Sequence, residues 1–379
     1  MKTHPAMWLA VLFATRLLSA AEAPAGFDWQ RARQLFQRSQ RGEQLAPDDQ
    51  AYLDKAKALR GQRQNDQPQK GKTDATAPAP GGQDSTGLLP LCDLGAQKYK
   101  GEDGGLYGGG KNEPPAAHAA AARKELAHIR PRDAAGQPAD DGKVVLLSVG
   151  MSNTTQEFSR FKQLADADKA KAPPLVIVDG AQGGQAAAQW LIGPESRVWQ
   201  TVDERLKAAG VTTRQVQVVW LKQAKIRPTE DYPAHAQKLQ SDIAEGLRRL
   251  KTKFPNLRLA HLSSRIYAGY ATTQLNPEPF AYESAFVVRA LIQAQLKGDE
   301  ALNYDAARGA VKTPLLLWGP YLWADGTQPR SDGLTWTRSD LTPRDGTHPS
   351  DAGRQKVAEQ LLKFCKTDPY ARAWFLARP

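Results

Sequence analysis

The sequence predicts an α/β fold, a three-layer α/β/α sandwich around a five-stranded parallel sheet, preceded by a small helical N-terminal segment. Three observations carry this expectation. Five short, near-continuous apolar runs occupy 144–149, 175–178, 216–221, 257–262 and 315–318, as expected of strands buried on both faces. Helical patterns lie between them: Phe158, Phe161 and Leu164 share one face, as do Leu239, Ile243, Leu247 and Leu250, and then Phe286, Ala290 and Ile292. Strand, helix and strand in alternation imply right-handed crossovers that place helices on both sides of one sheet.

Taken from the start, the chain opens with Lys2, an apolar run over 7–13 and the small residues Ser19-Ala20-Ala21. This pattern predicts a signal peptide over 1–21 and a protein that is secreted or periplasmic. The run is too short to cross a bilayer, which takes about 20 apolar residues, and no later segment is apolar enough to do so. Residues 22–60 read as a helical hairpin. Trp29, Ala32, Leu35 and Phe36 recur at helical spacing, and Asp48 and Asp49 after Pro47 suit the start of a second helix carrying Tyr52, Leu53 and Leu59. Residues 61–87 are rich in Gln, Asp, Lys, Pro, Gly and Thr and read as a disordered linker. The main domain is expected over 88–379, ending in a helix that starts at the N-cap candidate Ser350 and carries Val357, Leu361 and Phe364.

Composition narrows the function classes. With 41% apolar and 24% charged residues in 379, the chain has the make-up of a globular protein. The formal charge is +11, and removing Lys2 and Arg16 with the signal leaves 49 basic against 40 acidic residues. These basic residues are spread along the chain and mixed with acids, with no nucleic-acid-binding motif, so a soluble basic surface is expected and no nucleic acid partner. Cys92 and Cys365 are the two cysteines. They are compatible either with a single disulfide tying the start of the main domain to its last helix or with two separate thiols. Two cysteines without a histidine cluster, and no His-x-x-x-His pattern, give no zinc site.

In parallel α/β sheets the working site lies at the carboxyl ends of the strands, and three segments fall there. Gly150-Met151-Ser152-Asn153-Thr154 follows the first strand and leads into a helix expected to begin near Thr155, whose N-terminal amides point toward Ser152. Asp179-Gly180-Ala181-Gln182-Gly183-Gly184-Gln185 follows the second, and its glycines allow a ligand to approach the backbone. It lacks the spacing of a phosphate-binding loop and does not fit G-x-G-x-x-G. Asp345-Gly346-Thr347-His348-Pro349 precedes the last helix; Asp345 can fix the imidazole tautomer of His348 so that its other nitrogen accepts a serine proton. After the fourth strand, Arg265, Tyr267 and Tyr270 are candidate substrate-binding residues, although aromatic rings serve cores equally well. Trp318, Trp323 and Trp336 are open to the same two readings. The glycine-rich stretch 101–110 has no assigned role.

Together, a serine after strand one, a glycine loop after strand two and Asp-x-x-His before the last helix resemble the SGNH (GDSL-like) hydrolase family, with its flavodoxin-like sandwich. The resemblance covers roughly 142–366, and Asp345-Gly346-Thr347-His348-Pro349 is its most specific part. It implies Ser152 as nucleophile, His348 as general base and then acid, and Asp345 as its orienting partner. It also implies oxyanion donors from the Ser152 amide and Gly184, with Gly183 as the alternative alignment. Two positions differ from the family pattern. Met151 stands where the first block carries an acid, and the run Lys222-Gln223-Ala224-Lys225 after strand three offers no Asn. Gln223, Lys222 or Asn153 would have to replace that donor. The resemblance implies hydrolysis of short-chain, acetyl-type esters, on small molecules or polysaccharides, with no metal or organic cofactor. A non-catalytic carbohydrate-binding module on the same scaffold and an acyltransferase with the same triad are the rival readings. The sequence sets no oligomeric state.

Overall fold

The structure is a computed structural model. It describes residues 82–377 continuously and, upstream, 45–65 together with Asp28, Arg31, Ala32, Gln34, Leu35 and Arg38. The signal-like segment over 1–21, and Trp29 and Phe36 of the expected hairpin, lie outside the described residues. The chain divides into two compact units, Met1–Thr76 and Ala77–Pro379.

In the first unit, helix α1 spans Pro47–Asn65 with Asp48 and Asp49 in its first turn, where acids favour the helix dipole. Arg31 pairs with Asp49 at 2.9 Å and stacks over the Tyr52 ring. Leu35 and Leu53 are buried.

The second unit is built on five strands, β1 (Val144–Gly150), β2 (Leu175–Val178), β3 (Val216–Lys222), β4 (Leu259–Ser263) and β5 (Leu315–Trp318). All neighbours are parallel and the order is β2-β1-β3-β4-β5. Every residue of β1, β3, β4 and β5 is buried, which is why each reads as a near-continuous apolar run. The helices are α2 (Ala116–Leu126), α3 (Ser152–Ala167), α4 (Arg197–Ala208), α5 (Ala234–Lys253), α6 (Phe280–Leu296), α7 (Asp351–Thr367) and α8 (Arg372–Phe375). They cover both faces, with α3 packed on α7 and α5 on α6. The α/β/α sandwich with its five-stranded parallel sheet is as the sequence predicts.

The boundaries differ in instructive ways. The helix after β1 starts at Ser152 rather than near Thr155. Met151 alone makes the turn in extended conformation, and the Thr155 amide already donates to its carbonyl at 3.0 Å. β4 starts two residues later than its apolar run, because the Leu257 amide turns back to Phe254 O at 2.9 Å. Ser350 caps α7 as expected, its hydroxyl accepting from the Gly353 amide at 3.3 Å.

Residues 83–87, which composition places in the linker, are tied to the main domain. Gln83 N donates to Gly269 O at 3.0 Å. The Asp325 carboxylate accepts from the Thr86 amide at 2.7 Å and the Gly87 amide at 3.0 Å, and also from the Ser85 and Thr86 hydroxyls. The glycine-rich stretch 101–110 is likewise structural. Buried Arg289 of α6 holds Glu102 at 2.7 Å and Asp103 at 3.0 Å. A Cβ on Gly104 would stand 2.4 Å from Gly95 N, so a bulkier residue cannot make this turn. Cys92 and Cys365 are both free thiols, the second of the two arrangements the sequence leaves open. Cys92 donates to its neighbour Asp93 at 3.2 Å, and Cys365 is buried on α7.

Candidate active site

The topology brings the ends of all the relevant segments to one edge of the sheet. Ser152 is the first residue of α3, immediately beyond β1. Its Oγ lies 2.7 Å from His348 Nε2, and His348 Nδ1 lies 2.7 Å from Asp345 Oδ2. The other carboxylate oxygen of Asp345 accepts three hydrogen bonds, from the Thr342 hydroxyl at 2.8 Å and from the Thr347 and His348 amides at 2.9 and 3.0 Å. Burial pushes this carboxyl up, but these four donors, the His348 ring first among them, outweigh it and hold the group well below the usual carboxylate range. The loop turns at Gly346, with φ +58°, where a Cβ would lie 1.8 Å from Tyr270 O. That residue must be glycine for the Asp345–His348 geometry to form.

The nucleophile turn is fixed from two sides. A Cβ on Gly150 would stand 2.3 Å from Lys222 O, so β1 and β3 approach closely at their ends. Thr154 Oγ1 donates to that same carbonyl at 2.8 Å. Gln182 N donates to Gly150 O at 3.1 Å, which holds the glycine loop beside Ser152. Asn153, buried, donates from Nδ2 to Thr347 O at 2.9 Å, locking the histidine loop to the nucleophile turn.

Beneath them lies a buried ion pair, Lys222 on β3 with Glu157 on α3, each side chain fully inaccessible. Burial pushes Lys222 down to about 8 and Glu157 up, against their mutual attraction. Such a pair adds little net stability, but a lone buried member is costly. Lys222→Met is therefore expected to lower the unfolding free energy by about 3–5 kcal/mol. The double variant Lys222→Met, Glu157→Leu should recover most of that loss. Urea titration of wild type and both variants measures it, and a double variant no better than the single would show that the pair is not the cause.

Ser152, Asn153, Gly184, Arg265 and His348 line one cavity of about 250 Å³, with Met151, Ile226 and Leu275 among its apolar walls. Gly184 has φ +76°, and its amide makes no hydrogen bond among the described residues. The Ser152 amide lies in the first turn of α3, where amides lack intrahelical acceptors.

Three candidates are placed elsewhere. Gln223 does not reach this cavity. It follows Lys222 on β3, and since successive side chains alternate across a strand, it faces α5, in a separate small cavity with Asp242 and Ile243. Tyr267 and Tyr270 are buried and do not line the cavity. Their hydroxyls bind the upstream segment, Tyr267 to Gln83 O at 2.6 Å and Tyr270 to Asp84 at 3.0 Å. The tryptophans are core residues, with Trp318, Trp323 and Trp336 donating to Leu106 O, Glu278 and Leu322 O. Sequence reasoning missed Ile226, Leu275 and Asn276. Ile226 follows β3 at the working edge and was findable by that rule, whereas Leu275 and Asn276 sit deep in the β4–α6 connection, with no pattern to mark them.

Among the described residues, no cluster of three or more His, Cys, Asp or Glu could hold a metal, and no helix is long and apolar enough to cross a membrane. No family model and no curated protein matches the chain. Solved structures that resemble it include the lipase Lip_vut3 from a goat rumen metagenome, at 12% identity and TM-score 0.35, over 61% of this chain and 100% of that one. A carbohydrate esterase family 3 protein from Talaromyces cellulolyticus aligns at 14% identity and TM-score 0.30, over 57% and 94%. The periplasmic domain of a lipopolysaccharide acetyltransferase from Salmonella ser. Paratyphi A aligns at 12% and 0.31, over 59% and 84%. Similarity at this level says nothing of activity, and the fold rests on the chain's own topology. An all-parallel five-stranded sheet in the order β2-β1-β3-β4-β5, covered by helices on both faces, makes this a flavodoxin-like α/β/α sandwich, the fold that the resemblance to SGNH hydrolases implies.

Proposed function

We propose that the protein is a serine esterase that cleaves short-chain, acetyl-type esters through an acyl-enzyme. The observation that carries this reading is the continuous chain of hydrogen bonds from Ser152 Oγ through His348 to Asp345. With Asp345 accepting the Nδ1 proton, Nε2 is left as acceptor for the Ser152 proton. Ser152 Oγ attacks the ester carbonyl as His348 takes that proton. The carbonyl oxygen gains the negative charge and is stabilised by the Ser152 and Gly184 amides. His348 then protonates the leaving alcohol, and water repeats the sequence on the acyl-enzyme to release the acid and restore Ser152. The small, mostly apolar cavity supports a short acyl group, and the signal-like N-terminus supports export to the periplasm or medium.

One observation favours a rival. With Gln223 turned toward α5, Lys222 paired with Glu157 and Asn153 bonded to Thr347, none of the three side chains expected to replace the missing Asn stands ready as a third oxyanion donor. Losing one such donor typically costs about 2.7–4 kcal/mol of transition-state stabilisation. A slow esterase or a binding module on the same scaffold would both fit that lack. Reaction with a fluorophosphonate, followed by peptide mass spectrometry, separates them. Covalent labelling at Ser152, together with turnover of p-nitrophenyl acetate, is the expected result. A protein that neither labels nor turns over the ester is a binder.

A further inference from the structure

We propose that Arg265 recognises a carboxylate on the alcohol portion of the substrate, so that the protein acts on acetyl esters of hydroxy acids. This rests on the esterase reading above and names its substrate class. Arg265 lies two residues beyond β4, lines the same cavity as Ser152 and His348, and is 1% exposed. Its Nε donates to Asn276 Oδ1 at 3.2 Å and its backbone amide to Ser284 Oγ at 3.0 Å. The terminal nitrogen Nη2 is buried with no hydrogen-bond partner.

A guanidinium taken out of water without an anion is unfavourable, and its planar fork matches a carboxylate. The protein's own carboxylates make no hydrogen bond to the Arg265 guanidinium. Glu157, Glu278 and Asp345 all act on it electrostatically, but their oxygens are turned to other groups or left unpaired. Glu157 gives one oxygen to Lys222 and leaves Oε1 unpartnered. Glu278 accepts from Trp323 Nε1 at 2.8 Å and from the Ala268 and Tyr282 amides at 2.8 and 2.9 Å. Asp345 holds His348. Lys225, the one lysine on the cavity wall among the described residues, is paired with Glu230 at 2.7 Å. Arg265 is thus the cation left for a ligand.

The two of these carboxylates without a cation of their own, Glu278 and Asp345, set the ligand's charge. A dianion such as a phosphate monoester would be repelled by them with one guanidinium to offset it, whereas a monoanionic carboxylate is matched. An acetyl group has no room for a further charge, so the carboxylate belongs to the alcohol that leaves.

The test compares kcat/KM for 3-acetoxybenzoate and its neutral isostere 3-acetoxybenzamide, in wild type, Arg265→Gln and Arg265→Lys. Wild type is expected to favour the anion at least tenfold. The ratio should fall toward one in Arg265→Gln and be kept in part by Arg265→Lys, a change that a merely structural role for the arginine would not produce. Equal rates on the two esters in wild type, or a preference for the amide, would overturn the assignment and leave the esterase reading standing. Hydrolysis of p-nitrophenyl acetate but of neither of these esters by wild type would likewise overturn the assignment; if wild type hydrolyses none of the three, the esterase reading fails and calorimetry on wild type decides. Tenfold tighter binding of 3-acetoxybenzoate than of the amide supports a carboxylate site, and equal or absent binding overturns it. Should Arg265→Gln fail to fold, the wild-type ratio and its reduction in Arg265→Lys carry the test.

Discussion

Ser152→Ala is expected to lower kcat for acetyl ester hydrolysis by about 10⁴–10⁶, down to the residual that binding and the backbone amides supply. The size of the effect follows from the mechanism, because without Oγ there is no acyl-enzyme and His348 can only activate water from a poorly placed position. The fold should survive. Ser152 occupies the first turn of α3, where alanine is a good helix former, and its hydroxyl makes one hydrogen bond, to His348, worth about 1 kcal/mol. Circular dichroism and the urea midpoint should therefore change little while activity disappears. Equal rates in the variant would remove Ser152 as nucleophile and leave Asp345 and His348 as a general-base pair acting on water.

The strands were legible because burial on both faces leaves few positions for a polar residue, Ser148, Gln217 and His261 being the exceptions inside them. Their ends were not, because Gly150, Lys222 and Ser263 belong to the ladder without being apolar. Ser152, Asp345 and His348 could be linked in sequence since all three abut elements whose type was clear, and the rule that sites sit at carboxyl ends of strands did the rest. Gln223 shows where reading strand ends without their alternation fails. Gly150 pairs with Lys222 in the ladder, and Lys222 points to Glu157 on the α3 side, so its successor must face away. Tyr267 and Tyr270 carry no periodic signal that separates a cleft wall from an anchor. Their partners Gln83 and Asp84 lie in a stretch whose composition reads as linker, and no property of that composition reports docking onto a distant loop. Arg265, by contrast, was picked out for its place after β4, while its buried, half-satisfied state emerges only from the packing of Glu157, Glu278 and Asn276 around it.

Asp345→Asn tests the orientation of the histidine rather than its presence, and its effect should be nearly as large, about 10⁴ in kcat. Asp345 receives four hydrogen bonds with both oxygens in use. One oxygen takes the Thr342 hydroxyl and the Thr347 and His348 amides, and the other takes His348 Nδ1. An asparagine has a single oxygen, and three donors converge on one site against one on the other. Its amide oxygen will therefore settle where the three donors meet, which turns its NH₂ toward His348 Nδ1. That nitrogen must then act as acceptor, so the ring proton moves to Nε2. Nε2–H now points at Ser152 Oγ as a donor and cannot receive its proton. The loop should stay folded, since three of the four hydrogen bonds persist, and this separates the variant from one that simply collapses the turn at Gly346. The measurement is kcat on p-nitrophenyl acetate beside an ¹⁵N NMR assignment of the His348 tautomer in wild type and variant. A variant that keeps the wild-type rate with the proton on Nε2 would show that Ser152 is activated by some group other than His348.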